Sequence, residues 1–433
     1  MKTQNWTLQQ KIMGTLACLI LYRLLSQIPL PFIDTTYIKA LVSGNGSMGL
    51  LNVLTGGNLG NMSIMALGIT PYITASIVLQ LMSLLLPALS KLQKEGPDGQ
   101  RRYKRLTLIL AVILAFVESI GMLVGYGRQG LLTKQTWYTI LIPAIIMMAG
   151  SFVLAFMGQY IDKNFFGNGI SLILVTGILA SYPGDAATLG TMLVSGKSIP
   201  IAIISSGMAI FAIGVLFLFT TFISVSEKKI PIIYSGKLSD GPGKMTNTIP
   251  LKLIGGGVVP IIFASTLITF PSLIQSFTGT DIKWLHIFNM NSWLSKSEPW
   301  ASIGLVCYLG MIIGFSYYYQ EMTLNPQELT EKIKKKGGTI PGIRPGKPTE
   351  EYLRRQLKGL TALGGLCLCL IAITPMLVSK TIGIMNLSFL GTSVIITVSV
   401  LEETIRKYKA DILVTQYKRT TKKGTRRLFD EKR

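Results

Sequence analysis

Long apolar stretches, separated by short polar or basic segments, make up most of the chain. A helix needs about 20 apolar residues to cross the hydrocarbon core of a bilayer. The pattern therefore predicts an all-α polytopic membrane protein. Ten spans are predicted, at residues 13–30, 66–87, 106–126, 139–160, 169–183, 199–224, 253–276, 300–320, 357–378 and 383–401. We expect the first span to be retained, because nine more spans follow it and no small-residue cleavage pattern ends it.

Composition narrows the class of protein further. The 433 residues are 49% hydrophobic and 14% charged, whereas soluble domains carry about a quarter charged residues. A soluble enzyme and a disordered chain are thereby excluded. The four cysteines lie inside apolar stretches and His286 is the one histidine of the sequence, so we expect no metal site, no cofactor and no enzyme active site.

Lysine and arginine are distributed very unevenly between alternate loops. If the N-terminus is cytoplasmic, the cytoplasmic segments hold 34 of the 42 Lys and Arg residues and the outside loops hold 7. Positive charge accumulates on the cytoplasmic side of membrane proteins, so both termini are predicted to be cytoplasmic. Ten spans also suggest two halves, at 1–190 and 191–433. Five spans per half is an odd number, so the halves are expected to be inverted, with a functional site where they meet.

Two ionisable residues stand inside predicted spans, Arg23 in the first and Glu118 in the third. Charges at membrane depth are costly and usually mark function. Two interpretations stay open for them. They are either structural, paired with each other or with another subunit, or they are polar points along a path through the protein.

The segment before the second span is rich in glycine. Gly56, Gly57, Gly60 and Pro71 predict a short half-helix near 57–66, followed by a longer helix from about residue 71. Irregular backbone at membrane depth is tolerated where it is buried in protein or lines a cavity. A short segment that folds back into the protein is suited to act as a stopper.

Mildly polar side chains recur along the second span and along the seventh. They are Thr70, Thr74, Ser76 and Gln80 in the second span, and Ser265, Thr266 and Thr269 in the seventh. Such faces can meet across a helix seam without charge. Ordinary packing within a helix bundle explains them equally well.

Two predicted cytoplasmic loops are too patterned to be simple connectors. Residues 225–252 contain two β-type runs separated by glycine and proline, which predicts a protruding hairpin. Residues 321–358 predict a short amphipathic helix from Asn325 through Lys336 and then an exposed turn with Arg344 at its tip. Pro-Gly turns on both sides fix the direction of Arg344, which suits a guanidinium presented to phosphate or carboxylate. The nearby lysines could equally bind RNA phosphates, bind anionic lipid or be solvated.

Seven segments, in order along nearly the whole chain, together resemble the SecY family, the channel subunits of the general protein-secretion translocon. They are IPLPFID at 28–34, GGNLGNMSIMALGITPYITASIVLQLM at 56–82, KEGPDGQRR at 94–102, FGNGIS at 166–171, IPLKLIGGGVVPIIFASTLITFP at 249–271, NPQELTEKIKKKGGTIPGIRPG at 325–346 and FLGTSVIITV at 389–398. Each is weak alone, and the seven in this order are highly specific.

The resemblance implies a protein-conducting pore between two halves of five spans. Its waist is expected to be a ring of aliphatic side chains, which can hold a passing chain without binding it and can exclude ions by dewetting when closed. The ring residues are Ile69, Ile73, Leu174, Ile178, Ile262 and Ile396. A plug near 57–66 includes Gly56, Gly57, Asn58, Leu59, Gly60, Asn61 and Met62. A lateral gate, opened by signal peptides, includes Thr74, Gln80, Glu118, Ser265, Thr266 and Thr269.

The resemblance also implies partners. Arg344 matches the arginine of the family's docking loop, and Lys228, Lys229 and Lys237 lie in the other docking loop. The expected partners are SecE, SecG, the SecA ATPase, the ribosome, unfolded preproteins with their signal peptides, and lipid of the bacterial plasma membrane. ATP is expected to be hydrolysed by SecA, because the chain has no GxxxxGK[ST] phosphate-binding motif.

Two departures from the family pattern leave an accessory SecY channel, serving a dedicated subset of substrates, as an alternative. The first span reads YRLLSQIP where the family usually has a glycine shortly after the arginine, and Glu118 stands where a neutral polar residue is usual. The alternative from another class is an inverted-repeat secondary transporter of small solutes. That alternative predicts a charged or ion-coordinating midplane site and no docking loops, the reverse of what this sequence shows.

Overall fold

A helix lies at each of the ten predicted spans in the computed structural model, which describes residues 7–34, 38, 52, 55–132, 136–194, 199–234, 247–278, 287–288, 293, 302–382 and 393–412. The helices are α1 (Leu8–Leu25), α2 (Thr70–Leu85), α3 (Pro87–Lys94), α4 (Gly96–Tyr126), α5 (Trp137–Asn164), α6 (Gly169–Val194), α7 (Ile199–Val225), α8 (Val259–Thr278), α9 (Ile303–Thr323), α10 (Pro326–Lys335) and α11 (Lys347–Ile382). A further helix, α12, covers 393–412. The strands are β1 (Glu227–Tyr234), β2 (Asn247–Lys252) and β3 (Gly338–Thr339).

Several of these helices are suited to a membrane. Four helical segments of the described residues are long and apolar enough to cross it: Gly96–Tyr126, Trp137–Asn164, Ile303–Lys335 and Lys347–Thr374. Thr70–Ser83 and Pro87–Gln93, which meet at an angle of 113°, add a fifth if they are counted as one span. Shorter apolar helices lie at Gly169–Gly184, Ile213–Val225 and Val259–Thr269. The architecture is consistent with ten crossings, and the exact number stays a prediction.

Some helices begin well before the predicted span that they contain. α4 begins at Gly96 and not at 106, and α11 begins at Lys347 and not at 357. α4 has a proline in its first turn and Asp98 close behind it, and both residue types favour a helix start. Hydropathy therefore marks the membrane-crossing part of a helix and misses the polar turns that continue it.

The chain forms two compact units. The first contains the described residues of Met1–Lys39, Asn52–Pro183 and Val400–Arg433, and the second contains those of Gly184–Ser399. In the first unit α4 packs against both α2 and α5. The buried face of α4 carries Ala111, Ala115 and Ser119 at intervals of one turn, while Ile109 and Ile113 are exposed. Small side chains on the buried face let helix backbones approach closely.

In the second unit the two patterned loops fold together into one body. β1 forms an antiparallel hairpin with β2, and its last residues Ile233 and Tyr234 pair with Thr339 and Gly338 of β3. The strand order is β2-β1-β3. A shared apolar core holds the strands on α10 and α11 and consists of Ile230, Ile232, Leu251, Ile333, Ile340, Leu353 and Leu357. We call this body, residues 227–234, 247–252 and 326–360, the sheet module.

The predicted hairpin and the predicted amphipathic helix are both confirmed. The side chain of Asn325 caps α10 by accepting a 3.0 Å hydrogen bond from the backbone N–H of Gln327, and Pro326 occupies the first helical position. Asparagine and proline are favoured at these two positions because they satisfy or remove the free N–H groups of a helix start.

Candidate functional site

The predicted ring residues occupy helix positions in both units. In the first unit, Ile69 is buried immediately before α2 and Ile73 is half-buried one turn later. Leu174 and Ile178, also one turn apart, are buried on α6. In the second unit Ile262 is buried on α8 and Ile396 on α12. The joining of these six side chains into one ring stays a prediction.

The predicted half-helix near 57–66 is wrong. Residues 55–69 form a series of turns, because Gly56, Gly57 and Met62 adopt positive φ angles of 74°, 79° and 41°, which a right-handed helix does not allow. Hydrogen bonds within the segment accordingly span short turns, such as Met62 N–H to the Leu59 carbonyl at 3.0 Å. We call residues 55–69 the turn segment.

The turn segment is largely buried and is anchored at its beginning and near its middle. Asn58 and Met62 are 1% and 0% exposed, while Asn61 is exposed. Near its middle, the segment pairs with the strand-like residues after α1, where Leu30 N–H donates to the Met62 carbonyl at 2.9 Å. On the other side Gly150 of α5 packs so close to the Ile64 carbonyl that a Cβ atom would overlap it. The polar contacts at its beginning involve α1.

The polar side chains predicted for the lateral gate satisfy their hydrogen bonds mostly within their own helix. The Thr74 hydroxyl donates to the Thr70 carbonyl at 3.1 Å, and the Thr266 hydroxyl donates to the Ile262 carbonyl at 2.8 Å. Further hydrogen bonds join Gln80 Nε2 to Ser76 Oγ at 3.3 Å, Thr269 Oγ1 to the Ser265 carbonyl at 3.1 Å, and Ser265 Oγ with Tyr308 Oη at 3.2 Å. Most of these side chains are thus satisfied by hydrogen bonds, but the buried Thr70 hydroxyl on the second-span face has no hydrogen-bond partner among the described residues. Whether the two faces meet stays a prediction.

The two ionisable residues of the spans have different surroundings. Arg23 lies in the last turn of α1, and its Nη1 donates to the Gly56 carbonyl over 3.3 Å. Glu118 is half-buried on α4, two turns beyond Ala111 and so on the same face. Among the described residues, these two side chains form no ion pair with each other. Arg23 therefore acts on the turn segment, and Glu118 is a separate feature.

Arg344 is exposed at the tip of the sheet module, as the sequence predicts. Gly342 and Gly346, on either side, have positive φ angles of 77° and 110°, which glycine adopts without strain. The buried Thr349 at the start of α11 donates its hydroxyl to the Arg344 carbonyl at 2.8 Å. The backbone of the tip is therefore tied to a helix while the guanidinium stays free to meet a ligand.

The predicted docking lysines differ from one another. Lys228 and Lys229 are exposed on β1, and Lys228 Nζ donates to Gln356 Oε1 at 2.6 Å across the module. Lys237 lies outside the described residues. Lys228 thus has a structural contact as well as an exposed charge, which the sequence did not reveal.

Comparison with known proteins identifies the family. A family model for SecY matches residues 63–405. The protein translocase subunit SecY of Bacillus licheniformis is 33% identical over 422 residues, which cover 95% of this chain and 96% of the relative. The chain belongs to the SecY family. It is therefore a channel subunit of a protein translocase, located in the bacterial plasma membrane, and is not a catalytic enzyme.

Solved structures agree with the SecY fold. A structure described as a protein-conducting channel has a TM-score of 0.70 at 19% identity, with 94% of both chains covered. A SecY structure whose plug domain is described as stabilising the closed state and maintaining a membrane seal has a TM-score of 0.65. Sec61 from a canine ribosome–channel complex has a TM-score of 0.66. Both of these are also 19% identical and cover 94% of each chain. The likeness confirms the predicted helical fold class.

Sequence reasoning missed several residues that position the SecY elements. Tyr22, Gly177 and Thr349 were not predicted, although each contacts a segment that was. Tyr22 adjoins Arg23, which was the available signal, but a buried tyrosine in an apolar span usually indicates packing. Gly177 and Thr349 gave no signal, because their contacts join distant parts of the chain.

None of the described residues form a cluster of three or more His, Cys, Asp or Glu side chains suited to a metal.

Proposed function

We propose that this chain forms the protein-conducting pore of a bacterial translocase. It moves unfolded preproteins out of the cytoplasm and releases apolar segments sideways into lipid through the lateral gate. SecA or the ribosome supplies the driving force from the cytoplasmic side, where both termini lie, and SecE and SecG assemble with the chain. The predicted halves, 1–190 and 191–433, are the inverted walls of the pore.

The sheet module is the observation that carries this proposal. A channel that is driven by a partner needs a rigid surface on which the partner can bind. Two loops that are about a hundred residues apart in sequence share one apolar core here, and that core presents an exposed arginine on a tip fixed by Thr349. A fixed guanidinium suits bidentate contact with carboxylate or phosphate. Both SecA and the ribosome can offer such groups.

The turn segment supports a plug. One of the similar SecY structures is described by a plug domain that stabilises its closed state, and the same role is proposed here for residues 57–66. The segment is short, largely buried and held by turns rather than by a helix. It can therefore leave its place without the melting of a helix.

Crosslinking of a trapped substrate tests the proposed path. In a variant whose four native cysteines are replaced, a cysteine is placed at Ile178 of the predicted ring and, as the control, at Ile113 on the exposed face of α4. A precursor with one cysteine is halted half-way through export. We expect disulfide formation with Ile178→Cys and none with Ile113→Cys. Equal reaction at both positions, or reaction at neither, would contradict a path through the ring.

An accessory SecY channel is the second candidate function, and Glu118 favours it. A carboxyl group on the buried side of α4 changes the polarity of a helix that belongs to the predicted gate. An accessory channel is expected to export a narrow set of precursors. Depletion of the housekeeping SecY in the same cells separates the candidates: growth that continues with this chain alone supports a general channel, and growth arrest supports an accessory one.

A further inference from the structure

We propose that Tyr22 and Arg23 of α1 are positioning residues that latch the start of the turn segment in place, so that breaking their hydrogen bonds is a step of channel opening. The inference rests on the proposed function, in which residues 57–66 are the plug. Beyond that function, the inference identifies the two side chains that hold this plug and the hydrogen-bonded atoms that must separate when it moves.

The latch consists of two polar contacts between neighbouring residues of α1 and the turn segment. Asn58 Nδ2 donates to Tyr22 Oη at 2.9 Å and to the Thr55 carbonyl at 2.6 Å. Arg23 Nη1 donates to the Gly56 carbonyl at 3.3 Å. Tyr22 and Asn58 are 2% and 1% exposed. Buried polar groups are costly when unpaired, so the amide and the hydroxyl favour the position in which they bind each other.

A close approach between two glycines accompanies the latch. Gly56 has a φ angle of 74°, and a Cβ atom on it would lie 2.5 Å from Gly177 Cα of α6 and 2.8 Å from Tyr22 Oη. A Cβ atom on Gly177 would lie 2.6 Å from Gly56 Cα. Real Cβ atoms do not come so near, so glycine is required at both positions for the segment to reach Tyr22. The beginning of the segment is thus fitted between α1 and α6.

Hydrogen bonds suit a latch better than apolar packing does. A hydrogen bond weakens steeply with distance and angle, so a small displacement of α1 or of the segment releases it fully. Apolar contacts loosen gradually over a larger displacement. A charged side chain at membrane depth is costly. The described hydrogen bond of Arg23 goes to the backbone of the segment that must move, so its charge is used to hold that segment.

The test uses Tyr22→Phe, which removes one hydroxyl and keeps the ring, and Asn58→Ala, which removes its partner. The measurements are resting ion conductance in planar bilayers and export of a precursor with a weakened signal sequence. Loss of one net hydrogen bond predicts that Tyr22→Phe raises the resting conductance about fivefold. Asn58→Ala should raise it at least as much, because it also removes the bond to the Thr55 carbonyl. The double variant is expected to match Asn58→Ala, because the bond that Tyr22→Phe removes is already lost there. A simple loss of packing at two sites would instead add.

Two control variants, Tyr138→Phe and Gly310→Ala, test whether the effect is specific to the latch. Tyr138→Phe removes the hydroxyl of an exposed tyrosine in the same unit and should leave the conductance unchanged. Gly177→Ala should raise it, whereas Gly310→Ala, at a helical glycine with open space around it, should not. Unchanged conductance in Tyr22→Phe, or an additive double variant, overturns the latch.

A deletion separates the failure of the latch from the failure of the proposed function. Removing residues 57–66 should raise the resting conductance whether or not Tyr22 holds them. If the deletion raises it and Tyr22→Phe does not, the latch is wrong and the plug stands. If neither change raises it, the plug assignment and the latch both fail.

Discussion

Replacing Thr349 by valine tests whether the sheet module presents Arg344 in a fixed position. The Thr349 side chain is 3% exposed, and its hydroxyl donates to the Arg344 carbonyl at 2.8 Å. Valine has nearly the same shape and cannot donate. The guanidinium itself is untouched by this change, so any loss of partner binding must come from the altered backbone of the tip.

The magnitude follows from that single bond. A typical internal hydrogen bond contributes about 1 kcal/mol net, which corresponds to about a fivefold change in an equilibrium constant. We therefore expect Thr349→Val to weaken the binding of SecA by up to about fivefold. Arg344→Ala removes a hydrogen bond from a charged donor, for which about 1.5–3 kcal/mol is usual, so its effect should be clearly larger.

Equilibrium binding of SecA to the purified channel in nanodiscs measures both effects, with ribosomes as a second probe. Thr330→Val is the matched control, because Thr330 is buried in the same module and its hydroxyl donates to the Pro326 carbonyl at 2.7 Å, away from the tip. Thr349→Val should weaken binding while Thr330→Val does not. In an Arg344→Ala background, Thr349→Val should have no further effect. The same loss in both backgrounds would refute a role of Thr349 in presenting the arginine.

Four other substitutions probe the module and the gate. Leu353→Ala, at a core position with 0% exposure, should destabilise the module by about 2–5 kcal/mol, as measured by limited proteolysis of the purified channel against denaturant. Lys228→Met breaks an exposed bond to Gln356 and should change the same stability by less than about 0.5 kcal/mol. Glu118→Gln should let precursors with less hydrophobic signals through, because an apolar signal no longer has to desolvate an ionisable carboxyl group, while Glu118→Asp should keep the original threshold. A threshold that is the same in all three proteins would make Glu118 a structural residue.

Local signals in the sequence predicted the elements of the fold well. Apolar length placed a helix at every predicted span, since a helix that crosses lipid must be apolar over its whole crossing. Asn325 and Pro326 marked the start of α10, because the cap and the first turn depend on neighbouring residues alone. The Pro-Gly turns around Arg344 predicted an exposed tip for the same reason.

Contacts between distant residues could not be predicted in this way. The half-helix expected at 57–66 is a set of turns because Met62 adopts a positive φ angle, which its side chain does not suggest. The glycines of the segment were recognised, but the need for Gly56 depends on Gly177, which lies far away in the sequence. The hairpin and the Arg344 loop were each predicted, while their union through Ile233 and Thr339 has no local signal.

The union of the two loops matters for how a partner could act on the channel. Thr349, which holds the Arg344 carbonyl, belongs to the first turn of α11. Ahead of Pro375, that helix runs from Lys347 to Thr374, which is 28 residues or roughly 42 Å at the rise of an α-helix. A helix is stiff along its axis, so a force on the tip is passed into the apolar part of α11 instead of being absorbed in a flexible loop. The apolar core around Leu353 and Leu357 keeps the first turns of α11 attached to the strands. Loosening of that core should therefore lower export by more than the accompanying loss of partner binding accounts for.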